Sequence, residues 1–190
     1  MHNIKLLIAW DAQENYSLSF NTLIYNESKS PILVDPATAF CILIPDSSNS
    51  SIAATVRTAA CDPETQLKQL NSDLIKENSS YGKQQLANAG VSILDFVATV
   101  TSKGKTDNSS NDSLIETQEK SHNETITRIN KQQTYWTNTV IRKTTLLPGS
   151  FLQGKIVFPG SNMPGKLSVT IPVGKDSLTV SFRQTFEKVQ

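Results

Sequence analysis

The chain has 190 residues, a mass of 20.9 kDa and a formal net charge of +1. That length suits one domain with an insertion, or two small units, and it can bury a core without metals or disulfides. A charge so near zero excludes a global field that would gather nucleic acid or an acidic membrane surface. Charged residues make up only 18% of the chain, less than in most soluble domains, and Ser, Thr, Asn and Gln fill the difference, as is common outside the cytosol.

Residues 1–15, MHNIKLLIAWDAQEN, are not a complete signal peptide. The apolar run is short, no small-residue cleavage site follows, and acidic residues come at once. No stretch reaches the roughly 20 apolar residues of a membrane span, so a location beyond the cytoplasm requires a leader already removed.

In chain order, 4–10 read as a strand with Ile4, Leu6, Ile8 and Trp10 on one face. Asp11–Asn15 reads as a polar turn. Residues 16–25 alternate, with Tyr16, Leu18, Phe20, Thr22 and Ile24 toward a core and Ser17, Ser19 and Asn21 toward water. Asn26–Ser30 is a turn rich in local side-chain hydrogen bonding. Pro31–Val34 is a short strand stopped by Asp35-Pro36. Residues 38–44 are apolar enough to predict a strand buried on both faces. Pro45 and the run DSSNSS open a loop, and a further strand is expected within 51–58.

At Asp62-Pro63 the period changes. Asp62 suits the N-cap, Pro63 the first helical position, and Glu64 the positive end of the helix dipole. Leu67, Leu70 and Leu74 predict a helix over 63–77. Asn78–Gly82 reads as a break before a second helix over 83–101, whose stripe is Leu86, Ala89, Ile93, Phe96, Val97 and Val100. A polar link, 103–111, leads to a third helix over 113–139. Its narrow seam, Ile115, His122, Ile126, Ile129, Gln133, Trp136 and Val140, fits one arm of an antiparallel helical hairpin packed on 83–101. So thin a stripe needs further support near Trp136.

The remainder is β. Leu147-Pro148-Gly149-Ser150 is a turn. Residues 151–158 form a strand, and 166–173 with 177–186 form a hairpin turning at Gly174-Lys175-Asp176. Neither strand group can bury its own face alone, so both must share a core. The expected fold is an immunoglobulin-like antiparallel β-sandwich of 1–61 and 140–190, interrupted by a helical hairpin insert at 62–139.

Two places carry a resemblance. Tyr16-Ser-Leu-Ser-Phe20 leads through Asn26 and Pro31-Ile-Leu-Val-Asp35 to Phe40, and Leu147-Pro148-Gly149 is followed by Gly154 and Val157-Phe158. Over about half of its length the chain resembles Ig-like domains of bacterial secreted proteins and envelope lipoproteins, in which such turns join early strands and open a strand of the opposite sheet. The long middle segment departs from that pattern, as does the lack of a lipobox cysteine near residue 1. The resemblance implies a fold and an export route, and no catalytic residue.

Chemical motifs are sparse. Gly149-Ser-Phe-Leu-Gln-Gly154-Lys155 matches the start of a phosphate-binding loop. Ile156 stands where the magnesium-binding hydroxyl belongs, and a strand-like run follows where a helix is required. His2 and His122 are the only histidines and lack metal-ligand spacing. His122 fits a packed, hydrogen-bonded place on the helical seam, and no nucleophile elbow is present. Cys41 and Cys61 either close one disulfide in an exported protein or remain thiols. Cys41, inside Phe40–Ile44, suits an inert buried thiol. Asp11, Glu14, Asp35 and Asp46 fall at turns, where carboxylates cap and solubilise. Arg142-Lys143 beside Tyr135-Trp136 is too small a patch for nucleic acid. Trp136 suits docking of the insert, and Arg142 a carboxylate or a helix C-terminus.

These readings lead to a non-enzymatic, extracytoplasmic module without cofactor or metal. It would bind a protein partner through the helical insert, with Tyr135, Trp136, Arg142 and His122 as the interaction or docking residues. The alternative is a carbohydrate-binding module that stacks sugars on Trp10, Tyr135 or Trp136.

Overall fold

A computed structural model describes residues 3–14, 17–46, 55–101, 109–160 and 163–185. It is mainly antiparallel β-sheet with two helices. The strands are β1 (Ile4–Glu14), β2 (Ser17–Asn26), β3 (Ile32–Val34), β4 (Phe40–Pro45), β5 (Val56–Ala59), β6 (Thr144–Leu146), β7 (Phe151–Pro159), β8 (Gly165–Val173) and β9 (Asp176–Gln184). The helices are α1 (Pro63–Thr101) and α2 (Ser109–Asn138). The chain divides into two compact units, Met1–Gln66 with Tyr135–Gln190, and Leu67–Thr134.

The first unit holds both sheets. One runs β1-β2-β7; the other runs β5-β4-β8-β3-β6, with β9 on the second edge of β8. Sequence neighbours form the local pairs, β1 with β2 and β8 with β9, whereas β2–β7 and β4–β8 join distant halves of the chain. Alternation decides which side of each strand is buried. In β2, Leu18, Phe20, Thr22 and Ile24 are buried, as their period requires; Tyr16 lies outside the described residues. They meet Ile156 and Phe158 of β7, and the same cluster takes in Val34, Cys41, Leu43, Leu167, Val169, Ile171 and Val173 of the other sheet. Phe20 is fully buried, edge-on to Phe158 at 5.9 Å between ring centroids and tilted against Phe182 at 5.1 Å. Burying one such ring contributes about 2–3 kcal/mol.

Two turns behave as their residues dictate. Gly149 has φ +74° between Pro148 and Ser150, and Ser150 N donates to Leu147 O at 3.1 Å. Pro before a positive-φ Gly is the type II arrangement. Gly174, at φ +61°, turns β8 into β9.

Several expectations need correction. Asp11 is not in a turn: β1 continues to Glu14, and the register with β2 shifts between Trp10 and Ala12. β4 is not buried on both faces. Cys41 and Leu43 are buried while Ile44 is 48% exposed, because this sheet has one face on the core. The helix does not break at Asn78–Gly82. That stretch contains no proline, Glu77 and Tyr81 contact His122, and helix propensity is a weak prior that tertiary contacts override. The 47–54 loop, the link at 102–108 and the side chains of the Leu86–Val100 stripe lie outside the described residues.

Within the second unit, polar cross-helix contacts stand out. Gln133 Nε2 donates to Asn71 Oδ1 at 2.7 Å. His122 Nδ1 lies 3.0 Å from Glu77 Oε1, and its ring stacks on Tyr81 at 3.9 Å and 5°. These partners sit at 71–81; the side chains of 84–101, on which the hairpin was expected to pack, lie outside the described residues. Leu70 and Ile129 are its buried apolar side chains among the described residues.

Candidate functional site

The β1-β2-β7 sheet carries a polar network on its side away from the shared core. Asp11 is the extra residue of the β1 irregularity, and such bulges re-aim a side chain. Its carboxylate accepts from Ser19 Oγ at 2.8 Å and Asn21 Nδ2 at 2.9 Å, and pairs with Lys155 Nζ at 2.7 Å. Ser19 and Asn21 alternate with the core residues of β2; Ser19, expected toward water, is buried, Asn21 is exposed, and Lys155 stands opposite Asn21 on β7. Lys155, then Ser19 and Asn21, hold the Asp11 carboxyl below its ordinary range. About three-quarters of each partner in this ion pair is covered.

A short segment closes the far edge of β7. Ile141 N donates to Lys155 O at 2.9 Å, and Lys155 N donates to Thr139 O at 2.8 Å, forming a parallel bridge of Val140 with Lys155. This approach needs Gly154. A Cβ there would lie 2.9 Å from Thr139 O and 2.9 Å from Ile141 Cγ1.

Beside this network lies an open cleft of about 570 Å³. Leu7 and Leu23, paired across β1 and β2, give it an apolar floor. Asn21, Gln153, Lys155, Asn138 and Thr139 contribute polar side chains to its lining. Tyr135 stands at its margin, its ring centroid 5.9 Å from Lys155 Nζ. Amide and hydroxyl groups both donate and accept hydrogen bonds, and the lysine charge is balanced by Asp11.

The residues singled out from sequence are dispersed. Tyr135 and Trp136 contact each other edge to face at 5.7 Å. Trp10 is 43% exposed and edge-on to Phe20 at 5.5 Å. Neither tryptophan lines the cleft among the described residues. Arg142 pairs with a carboxylate, that of Glu64 in the first turn of α1, through Nε at 2.7 Å and Nη2 at 2.9 Å. His122 belongs to the second unit, against Glu77 and Tyr81. Cys41 and Cys61 are not bridged: both are free thiols, Cys41 buried on β4 and Cys61 half-buried after β5. The Gly149–Lys155 decoy leads into β7, a strand, so it has no helix to meet a phosphate. His2 lies outside the described residues. Among the described residues no cluster of His, Cys, Asp and Glu could hold a metal, and no helix is long and apolar enough to cross a membrane.

Sequence reasoning missed Asp11, Asn21, Asn138, Gln153 and Lys155 as one site. The available signal was the polar Asp11, which interrupts the alternation of an apolar strand. Its neighbours on β7 and α2 are far off in sequence. The chain matches no family model, no curated protein and no solved structure.

Proposed function

We propose that this chain is a non-enzymatic recognition module that binds a neutral glycan in the cleft on its three-stranded sheet. Its fold is read as an Ig-like β-sandwich carrying a helical hairpin insert, and its place as the extracytoplasmic side of a bacterial envelope. One observation carries the functional reading: amide, hydroxyl and charge-balanced groups surround an apolar floor in a cleft of about 570 Å³. Sugar hydroxyls match groups that both donate and accept, and the flat C–H face of a pyranose suits a floor such as Leu7–Leu23. The extracytoplasmic part rests on the low charge content and on the resemblance described above.

Calorimetric titration with a panel of neutral oligosaccharides tests the reading. A binder should lose at least about tenfold in affinity on Asn21→Ala or Gln153→Ala, about 1.4 kcal/mol. A folded protein that gives no heat with any member ends it.

A second reading, a protein partner held by the helical insert, is favoured by a different feature. Along α2, Glu116, Glu119, Lys120, Glu124, Arg128 and Lys131 form a mixed-charge face, and among the described residues of this unit the buried apolar side chains are Leu70 and Ile129. Interfaces use such charge patterns for partner choice. Replacing 67–134 by a short linker should abolish capture of a protein partner, and unchanged capture would remove this reading.

A further inference from the structure

The β1 edge is unusually regular. Among the described residues, β1 has β2 as its one strand partner. Residues 4–10 keep an unbroken register with β2 until the irregularity at Asp11, contain no Pro or Gly, and carry one charge, Lys5, which is tied to Glu27. Natural edges are usually blunted by prolines, charges, bulges or short length; the bulge at Asp11 lies beyond 4–10, and the Lys5 charge is neutralised by Glu27. Glu27 N donates to Asn3 O at 2.8 Å, and Ile4 stands opposite Asn26. Antiparallel alternation then places Lys5, Leu7 and Ala9 in the hydrogen-bonded pairs with β2. It turns the N–H and C=O groups of Ile4, Leu6, Ile8 and Trp10 to the free edge.

We propose that two copies of this chain pair antiparallel through β1, with the two-fold axis at Leu7. The regular segment 4–10 is centred on that residue, so one register pairs all of it. Ile4 meets Trp10 of the second copy, Leu6 meets Ile8, Lys5 meets Ala9 and Leu7 meets Leu7. Only this parity keeps the core-facing sides of both sheets on one side of the joined sheet. No like charges fall opposite each other, and the outward groups of Ile4, Leu6, Ile8 and Trp10 satisfy one another. Leu7, 67% exposed in one copy, gains a cross-strand apolar neighbour. The two clefts, each lined by Leu7, Ile8 and Ala9, then lie on either side of the axis on one continuous face. The second copy is favoured over an unrelated strand because the regular length, its centre and its charge placement are all self-complementary.

The test measures mass in solution by analytical ultracentrifugation from about 1 to 500 μM, a range that spans weak dimers. The wild type should shift from monomer to dimer with concentration. Leu7→Lys puts two ammonium groups opposite each other at the axis. It should weaken the dimer at least about tenfold with unchanged circular dichroism, because the position is exposed. Under mild oxidation, Leu7→Cys should cross-link between copies. A non-hydrogen-bonded pair holds Cα atoms about 4.5 Å apart, within disulfide reach. Lys5→Cys, displaced from the axis, should not cross-link. A wild type that stays monomeric throughout, a Leu7→Lys dimer as tight as the wild type, or Lys5→Cys linking as fast as Leu7→Cys would each overturn the proposal.

Discussion

Asn26 Nδ2, buried at the end of β2, donates to Leu146 O at 2.9 Å and joins two residues 120 positions apart. The same Nδ2 donates to Ser30 O at 2.9 Å, and Oδ1 accepts from Ser28 N at 3.0 Å and Ser28 Oγ at 2.6 Å. Its backbone is held as well, with Asn26 N donating to Ser150 O and Gly149 N to Asn26 O. One side chain thus ties the end of β2 to the following turn and to the β6 end. Asn26→Ala removes the side-chain partner of the buried Leu146 O and of Ser28 N, and should cost about 1–3 kcal/mol in urea denaturation. Asn26→Asp should cost more, because it removes the donors and buries a charge. Ser28→Ala should cost less than about 1 kcal/mol, since Asn26 keeps its other partners.

The Asp11–Lys155 pair should show in the pH dependence of stability. The folded carboxyl titrates below its reference value of 3.8, so its contribution is present above that reference and is lost as pH falls through the folded value. Asp11→Asn should therefore be less stable than wild type by about 1 kcal/mol near pH 6. The gap should narrow below about pH 4. A gap that stays constant down to about pH 2 would contradict this origin.

Gly154→Ala tests the contact beside the cleft. The new methyl must displace Thr139 O and Ile141 Cγ1, and one of these is backbone. The expected cost is about 1–3 kcal/mol. Amide exchange should speed up at Ile141 and Lys155, whose hydrogen bonds the displacement lengthens. An unchanged exchange pattern would mean the segment yields without leaving the strand.

The two thiols should be quiet. Burial raises the pKa of both Cys41 and Cys61, which reduces the reactive thiolate at neutral pH. Alkylation of the folded protein near pH 7.5 should be at least about tenfold slower than in urea. Reducing agent should leave the unfolding midpoint unchanged, whereas a drop would reveal a bridge.

Strand identity was legible wherever a period of two met a one-sided core. β2 is the clearest case, because Leu18, Phe20, Thr22 and Ile24 leave little choice of face. The turns at Gly149 and Gly174 were legible because positive φ selects glycine. β4 misled because a continuous apolar run does not say whether a second face is covered. Asn78–Gly82 misled because the contacts of Glu77 and Tyr81 with His122 are tertiary, and no local signal reports them. The cleft was invisible for the same reason: Asp11, Asn21 and Lys155 meet through strand register, and a bulge changes that register by one residue.

The first unit is assembled from two stretches with the helices between them. During synthesis, β2 and β4 emerge long before β7 and β8, the strands that complete their sheets. Until then Phe20 lacks Ile156 and Phe158 beside it, and Leu43 lacks Leu167. Pairings of this span make for slow folding and an aggregation-exposed nascent chain. Production of the protein should therefore respond to chaperone supply and to translation rate more than its final stability would suggest.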